Sequence, residues 1–472
     1  MDAAAFLPFL PDLALLAAAL AVLCADMAAE GKPLAFHAAW TGLALAALLA
    51  LRSAGSGETA AFAGYLADPV RGAWKMLFAL AGLGAAAVSR PYLSGRDARG
   101  ALGRPGAFLA LLILCVQGMF ALVSATDLLV FYLGLELATL PLFALAAFQA
   151  GDDASAEAGA KYVLMGGFSS ALTLFGISFL YGACGSLGFD ALSHAAATAP
   201  SEPLLWGGLV FLMGGLGFKL AMAPLHMWAP DVYQGAPTPV AAFLSVGSKA
   251  GATAAVAALL LGPLSAVRTG LGGFLAAGAV LSMIAGNLGA MRQTDLRRFV
   301  AYSSIAQAGF MLVAFAGEAG PARAALQYNL LAYGVSVYAL FFILSVLVGE
   351  GPETTASLRG LSRRHPGLAA LLAMSMFSLA GVPPLAGFLG KFLLFNAAAR
   401  NGRYVLVGIA LANAALSFYY YMRLVREAYM ADDASRPALV LGPARTVILW
   451  AFAAALVALG ICPAALEWMM RL

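Results

Sequence analysis

Four of the six lysines in this 472-residue chain, Lys161, Lys219, Lys249 and Lys391, lie inside apolar stretches, whereas every arginine falls at a loop or at the end of such a stretch. Arginine stays charged at any reachable pH, but burial lets a lysine lose its proton, so a site that must release and regain a proton can use lysine and not arginine. The partition points to proton transfer. Among the 23 acids, Glu136 alone sits near the middle of an apolar run, in DLLVFYLGLELATLPLF. It follows Asp127 by nine residues, which is about 13 Å along a helix. A charge at the centre of a bilayer costs on the order of 3 kcal/mol and calls for a partner. A cation about 6 Å away, at an effective dielectric near 20, would contribute roughly 2.8 kcal/mol. Moving either charge would then change its neighbour's hold on a proton.

Lys219, in GLGFKLAMAPLHMW, precedes Pro224 by five residues, and His226 follows that proline. This is the richest polar spot in the chain. Lys249, in FLSVGSKAG, comes twelve residues after Pro237, about 18 Å along its helix, with Ser245 and Ser248 placed to hold water. Lys391, in GVPPLAGFLGKF, lies nine residues before Arg400. Plainer readings exist for each. Lys161 is four residues after Glu157, where an i, i+4 ion pair or snorkelling needs no function. Glu136 and Lys219 could form a purely structural pair, a lone His226 is more often a satisfied core residue, and the aromatics of SFYYYMR at 417–423 are most simply lipid-facing or interfacial packing.

The elements that must position these groups are membrane spans. The chain is 62% hydrophobic and 11% charged, against about 25% charged in soluble domains. Too few polar residues remain to cover a water-facing exterior, which excludes an ordinary soluble protein. Fourteen apolar runs follow one another with hardly a linker, so the expected fold is an all-α polytopic membrane protein of about 14 transmembrane helices. The seventh run (203–234), interrupted by Pro224 and Pro230, and the twelfth (367–399), interrupted by Pro383 and Pro384, are too long for one straight crossing and read as broken helices. The breaks are five runs apart. An odd offset reverses direction, so helices 4–8 and 9–13 would form inverted five-helix repeats. The expected division is 1–104 as three N-terminal helices, 105–265 as the first repeat, 266–430 as the inverted repeat and 431–472 as a C-terminal helix.

Counted from the N-terminus, loops on the far side hold fifteen basic residues, and the near side holds eight, Arg71 and Lys75 among them. The far side should therefore be cytoplasmic and both termini outside. The net charge of +4 is modest and no basic tail exists, so no nucleic-acid partner is expected. Cys24, Cys115, Cys184 and Cys462 are scattered without metal-ligand spacing and read as small buried hydrophobes. The N-terminal segment lacks the basic region of a cleavable signal, so the first helix is expected to stay.

Residues 215–250, GLGFKLAMAPLHMWAPDVYQGAPTPVAAFLSVGSKA, closely resemble the hallmark region of the N-type antiporter-like subunits of proton-translocating NADH:quinone oxidoreductase, respiratory complex I. The stretches around Glu136 and Lys161, RQTDLRRFVAYSSIAQAGF at 292–310 and LAGVPPLAGFLGKF ending at Lys391 match the same family in the same order. The resemblance implies fourteen helices with inverted repeats. It also implies a polar, hydrated axis to which Glu136, Lys161, Lys219, His226, Lys249 and Lys391 correspond as a proton relay. NADH, FMN, iron–sulfur clusters and quinone would belong to other subunits; this chain has no dinucleotide fingerprint or cluster-ligating cysteines and is expected to hold no cofactor or metal. Expected partners are the neighbouring antiporter-like subunit M, the small subunits J and K and the lipid of a bacterial inner membrane. A subunit of a cation/proton antiporter or membrane-bound hydrogenase, and a structural spacer of the membrane arm, stay open as alternatives.

Overall fold

The computed structural model describes residues 7–28, 34–94, 105–149, 151–347, 351–430, 438–462 and 464–471. Lys32, Arg96, Arg99, Arg104 and Arg436, five of the fifteen far-side basic residues, lie outside the described residues, as do the expected boundaries at 104 and 431. The chain divides into two compact units, Met1–Leu275 and Ala276–Arg471.

The first unit runs α1 (Leu10–Ala28), α2 (Leu34–Ser56), a small hairpin of β1 (Ala60–Phe62) and β2 (Tyr65–Ala67), then α3 (Pro69–Ser94), α4 (Pro105–Ser124) and α5 (Leu128–Ala146). It continues with α6 (Asp153–Cys184), α7 (Phe189–Thr198), α8 (Pro203–Leu220), α9 (Trp228–Gly235), α10 (Thr238–Phe243), a π turn over Leu244–Ser248 and α11 (Lys249–Leu260). Asp127 caps α5 by accepting the Val130 N–H at 2.7 Å. The hairpin turn is pinned to that cap. Thr126 N–H donates to Gly64 O at 2.9 Å, and a Cβ on Gly64 would stand 2.3 Å from the Asp127 carboxylate.

The second unit takes over within α12 (Gly272–Ala290), at Ala276, and continues through α13 (Leu296–Ala314), α14 (Ala319–Val346), a 3₁₀ turn (Thr355–Leu358), α15 (Leu361–Arg364) and α16 (Pro366–Ala380). It ends with α17 (Ala386–Arg400), α18 (Tyr404–Met430), α19 (Pro443–Ile461) and α20 (Ala464–Met470). Its core is α14 packed on α16 and α17, with α16 also against α18.

Among the described residues twelve helices are long and apolar enough to cross a membrane, which makes the chain a multi-pass membrane protein. Two of the fourteen apolar runs are not among them. The tenth forms α13, whose Arg297, Arg298, Ser303, Ser304 and Gln307 dilute its hydropathy, and the twelfth is split into α16 and α17 of 15 residues each.

Both expected breaks are present, and they share one geometry. α8 ends at Ala221, whose φ of 54° is left-handed and whose N–H donates to Gly217 O and Phe218 O, while Met222 N–H reaches back to Gly217 O at 2.8 Å. α16 ends at Gly381, φ 89°, bonded to Phe377 O and Ser378 O, with Val382 N–H on Phe377 O at 2.9 Å. This double return is how a helix closes its last carbonyls. Pro230, expected to interrupt the seventh run, instead sits in the first turn of α9, where a proline displaces no helical bond.

Candidate functional site

Glu136 and Thr139 are three residues apart on α5 and share a face, Ser170 projects from α6, and Lys219 from the last turn of α8. α6 and α8 meet closely because small residues line the contact. A Cβ on Gly215 would fall 2.0 Å from Thr173 Oγ1, and Ser169 Oγ donates to Gly215 O at 2.9 Å. The Lys219 ammonium, in a residue 7% exposed, stands 3.6 Å from Glu136 Oε1. Its short hydrogen bond goes elsewhere, to Thr139 Oγ1 at 3.0 Å, and Glu136 Oε1 accepts from Ser170 Oγ at 2.6 Å. The sequence-based pairing of Glu136 with Lys219 is therefore present, with two hydroxyls that the sequence reading missed. Their signal was available: Thr139 is one turn from the only mid-run acid, and Ser169 and Ser170 interrupt an apolar helix.

A cavity of about 20 Å³ opens beside Lys219, walled by Thr139, Tyr162, Phe218 and Ser248. That space is large enough for one water molecule. Ser248 precedes Lys249, which is 1% exposed and donates its ammonium to Leu220 O, one of the last carbonyls of α8. A helix C-terminus carries partial negative charge, so it can hold a buried ammonium without a carboxylate. The π turn before Lys249 adds a residue to its helix and sets the register of that side chain. Ser245 turns away, donating to Ala241 O at 2.7 Å. His226 lies in the turn between α8 and α9, half-buried, with Lys249 as the cation whose field reaches its ring. Trp228 closes the turn by donating to Phe218 O at 3.0 Å.

Lys161 is placed differently. It is 41% exposed and its ammonium meets Glu157 at 2.7 Å and Asp231 at 2.9 Å, which ties α6 to α9. The i, i+4 pair with Glu157 was legible in the sequence; Asp231, seventy residues away, was not.

In the second unit, Lys391 of α17 is 5% exposed and donates to Leu379 O at 2.8 Å and Ala380 O at 3.1 Å, the closing carbonyls of α16. Its ammonium lies 4.8 Å from the Phe310 ring centroid, and Gln307 Nε2 also donates to Leu379 O, at 3.3 Å. Buried polar side chains of this unit are neutral apart from Lys391 and Arg364, among the described residues. Lys249 and Lys391 thus do the same local job, each capping the end of a broken helix.

Three sequence readings are corrected. Cys24 and Cys462, read as buried hydrophobes, are exposed, and of the four only Cys115 is fully buried. Lys75, assigned to the near-side loops, is 2% exposed and donates to Asp12 Oδ2 at 2.8 Å, because α1 and the hairpin fold over it. Of the aromatics read as lipid-facing or interfacial packing, Phe418 and Tyr419 are exposed but Tyr420 and Tyr421 are fully buried. The Tyr420 hydroxyl donates to Asn287 Oδ1 at 3.0 Å and that of Tyr421 lies 2.7 Å from Ser303 Oγ, partners supplied by α12 and α13. Among the described residues no group of three or more His, Cys, Asp or Glu is placed to hold a metal.

Residues 125–417 match the family described as NADH:quinone oxidoreductase/Mrp antiporter, TM. The chain belongs to this family. Members similar to it include NADH-quinone oxidoreductase subunit N of Moorella thermoacetica, 39% identical over 85% of this chain and 84% of the relative. The subunit of the same name from Halorhodospira halophila is 36% identical over 97% of both chains. Among solved structures, a chain of respiratory complex I from Thermus thermophilus with bound aureothin is 35% identical, with a TM-score of 0.81 over 97% of this chain and 98% of that one. A chain of the Mrp complex from Dietzia, 19% identical with a TM-score of 0.83 over 100% of this chain and 97% of that one, shares the fold. Family membership and the all-α antiporter-like fold stand as the sequence motifs implied. The buried Lys219, Lys249 and Lys391 and the partly buried Glu136 all fall within the matched segment.

Proposed function

We propose that this chain is the N-type membrane-arm subunit of a proton-translocating NADH:quinone oxidoreductase, moving protons while NADH, FMN, iron–sulfur and quinone chemistry proceeds in partner subunits. The observation that carries this reading is the buried Glu136–Lys219 pair beside a water-sized cavity at a broken helix. Lys219 holds a proton while Glu136 is near. Lys249 and His226 take it on, and Lys391 passes it toward the exit. Lys161, bridging Glu157 and Asp231, anchors the α9 segment against α6 at the edge of the relay.

The magnitudes suit such a device. At 3.6 Å and an effective dielectric near 20, the pair contributes about 4.6 kcal/mol. Moving one charge against 100 mV takes about 2.3 kcal/mol. Parting the pair, through charge movement in a neighbouring subunit, is therefore large enough to drive a proton off Lys219 against a membrane potential.

The proposal also includes the inverted repeats at 105–265 and 266–430, subunits M, J and K as neighbours, and a bacterial inner membrane with both termini on the periplasmic side. Support comes from the relatives named subunit N and from the excess of basic residues on one side. The test is Glu136→Ala and Lys219→Ala in the assembled complex, with proton uptake measured in vesicles during NADH oxidation. Both variants should lose pumping; undiminished pumping in both rejects the relay.

A further inference from the structure

The shortest hydrogen bonds of Glu136 and Lys219 go to hydroxyls, while the two charges face each other across a longer 3.6 Å ion pair. Thr139 has one hydroxyl proton, and it is committed to Leu135 O at 2.6 Å. Toward Lys219 the Thr139 oxygen can only accept, so it holds the ammonium by its lone pair at 3.0 Å. On the other side, Ser170 donates its only proton to Glu136 Oε1, the same oxygen that faces Lys219. Each charge thus has its short bond to a neutral hydroxyl, and the charges stand 3.6 Å apart. Thr139 and Ser170 are themselves buried, and each projects from a long helix, α5 or α6. The same unit shows what a pair without such spacing looks like, because Lys75 and Asp12 meet at 2.8 Å.

We propose that Thr139 and Ser170 are positioning residues that hold the Glu136–Lys219 pair apart, so that the lysine can leave the carboxylate, or return to it, without an unpaired stage. The inference deepens the proton-relay reading and rests on it. When the pair parts, the ammonium keeps Thr139 and the carboxylate keeps Ser170, so neither charge loses its hydrogen-bond partner in a buried site. Without the hydroxyls the two would close to hydrogen-bonding contact like that of Lys75 and Asp12, and release of the Lys219 proton would become the slow step. Other titratable side chains near the pair are Tyr132 on α5, which faces Glu136, and Tyr162 on α6, which lines the cavity with Lys219.

The experiment uses the assembled complex in membrane vesicles, with NADH-driven proton uptake and the solvent deuterium isotope effect on NADH oxidation as readouts. Thr139→Val, which keeps the shape and removes the acceptor, should slow pumping about tenfold, the size of a lost hydrogen bond to a charged group. It should also raise the isotope effect above that of the unaltered chain, and Thr139→Ser should restore both. Ser170→Ala should act in the same direction, with Ser170→Thr restoring, and decides the matter if Thr139→Val does not assemble. A rate loss with an unchanged isotope effect that Thr139→Ser does not repair would show a packing role and overturn the inference. Normal pumping in Thr139→Val and Ser170→Ala, beside loss of pumping in Glu136→Gln, would overturn it while leaving the relay standing. Normal pumping in Glu136→Gln and Lys219→Ala would remove the relay itself.

Discussion

The first unit buries two lysine–carboxylate pairs, and they are built on opposite principles. Asp12 and Lys75 are in direct contact at 2.8 Å, and the Tyr65 hydroxyl donates to the other carboxylate oxygen. The ammonium also lies 4.9 Å from the Tyr65 ring centroid and 5.6 Å from that of Phe120. Burial and the adjacent Asp12 carboxylate push the Tyr65 phenol well up, so it remains a donor throughout the physiological range. Every strong interaction in this cluster points inward, and it fastens α1, α3 and the hairpin together. Glu136 and Lys219 are farther apart, each leans on a neutral hydroxyl, and a water-sized cavity lies alongside. A buried ion pair is therefore not by itself a mark of function. Contact with full mutual satisfaction makes a clasp, whereas separation with independent partners makes a pair that can open.

The sharpest way to break this contrast is to unpair the clasp. Asp12→Ala should leave the Lys75 ammonium buried without its partner and destabilise the first unit by about 3–5 kcal/mol. Thermal unfolding of the purified subunit or loss of assembled complex reads this, while pumping per assembled complex stays normal. Pumping lost in complexes that assemble fully would place Asp12 in the relay and erase the distinction. A smaller effect tests the open pair through its scaffold. Gly215→Ala puts a methyl group against Thr173 and Ser169 O, so α6 and α8 must separate, at a cost of about 1–3 kcal/mol. Because Ser170 rides on α6 and Lys219 on α8, pumping should fall more than stability does; the reverse order would show that the spacing of the pair is not critical. The smallest change is expected at Lys161, whose two carboxylate partners are exposed. Lys161→Met should leave melting nearly unchanged, since exposed ion pairs add little. Proton uptake abolished in that variant would move Lys161 from anchor to relay.

The two helix breaks make a second contrast, each within its own unit. Around α8 a cation from a later helix caps the break and a second lysine, Lys219, stands in the final turn beside an acid. Around α16 the capping lysine comes from the helix that resumes after the break, and its surroundings are neutral. A lysine held only by helix-end carbonyls has no carboxylate to lose. Its protonation can respond to charges arriving from outside but not to the opening of a local pair.

The fold class and the positions of both breaks were legible because they depend on local facts: apolar runs too long for one crossing, with prolines inside them; a proline alone does not suffice, since α3 and α5 run through Pro91 and Pro141. Glu136, Lys219, Lys249 and Lys391 stood out for a similar reason, since a charge inside an apolar run is visible without knowing its neighbours. Lys75 was misplaced because it is only the third residue of its run, and nothing local tells whether such a side chain snorkels to the surface or turns inward. That choice was made by Asp12, 63 positions earlier. Tyr420 and Tyr421 were misread likewise, because their hydroxyl partners sit on α12 and α13.

What the sequence alone determined was therefore which groups are forced into the membrane and where the helices must stop, since desolvation and backbone geometry act residue by residue. Only the tertiary structure decided which of those groups touch and at what distance. Hydrogen bonding needs atoms placed to within a few tenths of an ångström, and the packing of α5, α6 and α8 sets that placement. The difference between 2.8 Å and 3.6 Å, on which the roles of the two buried pairs turn, is written in helix contacts and in no single stretch of chain.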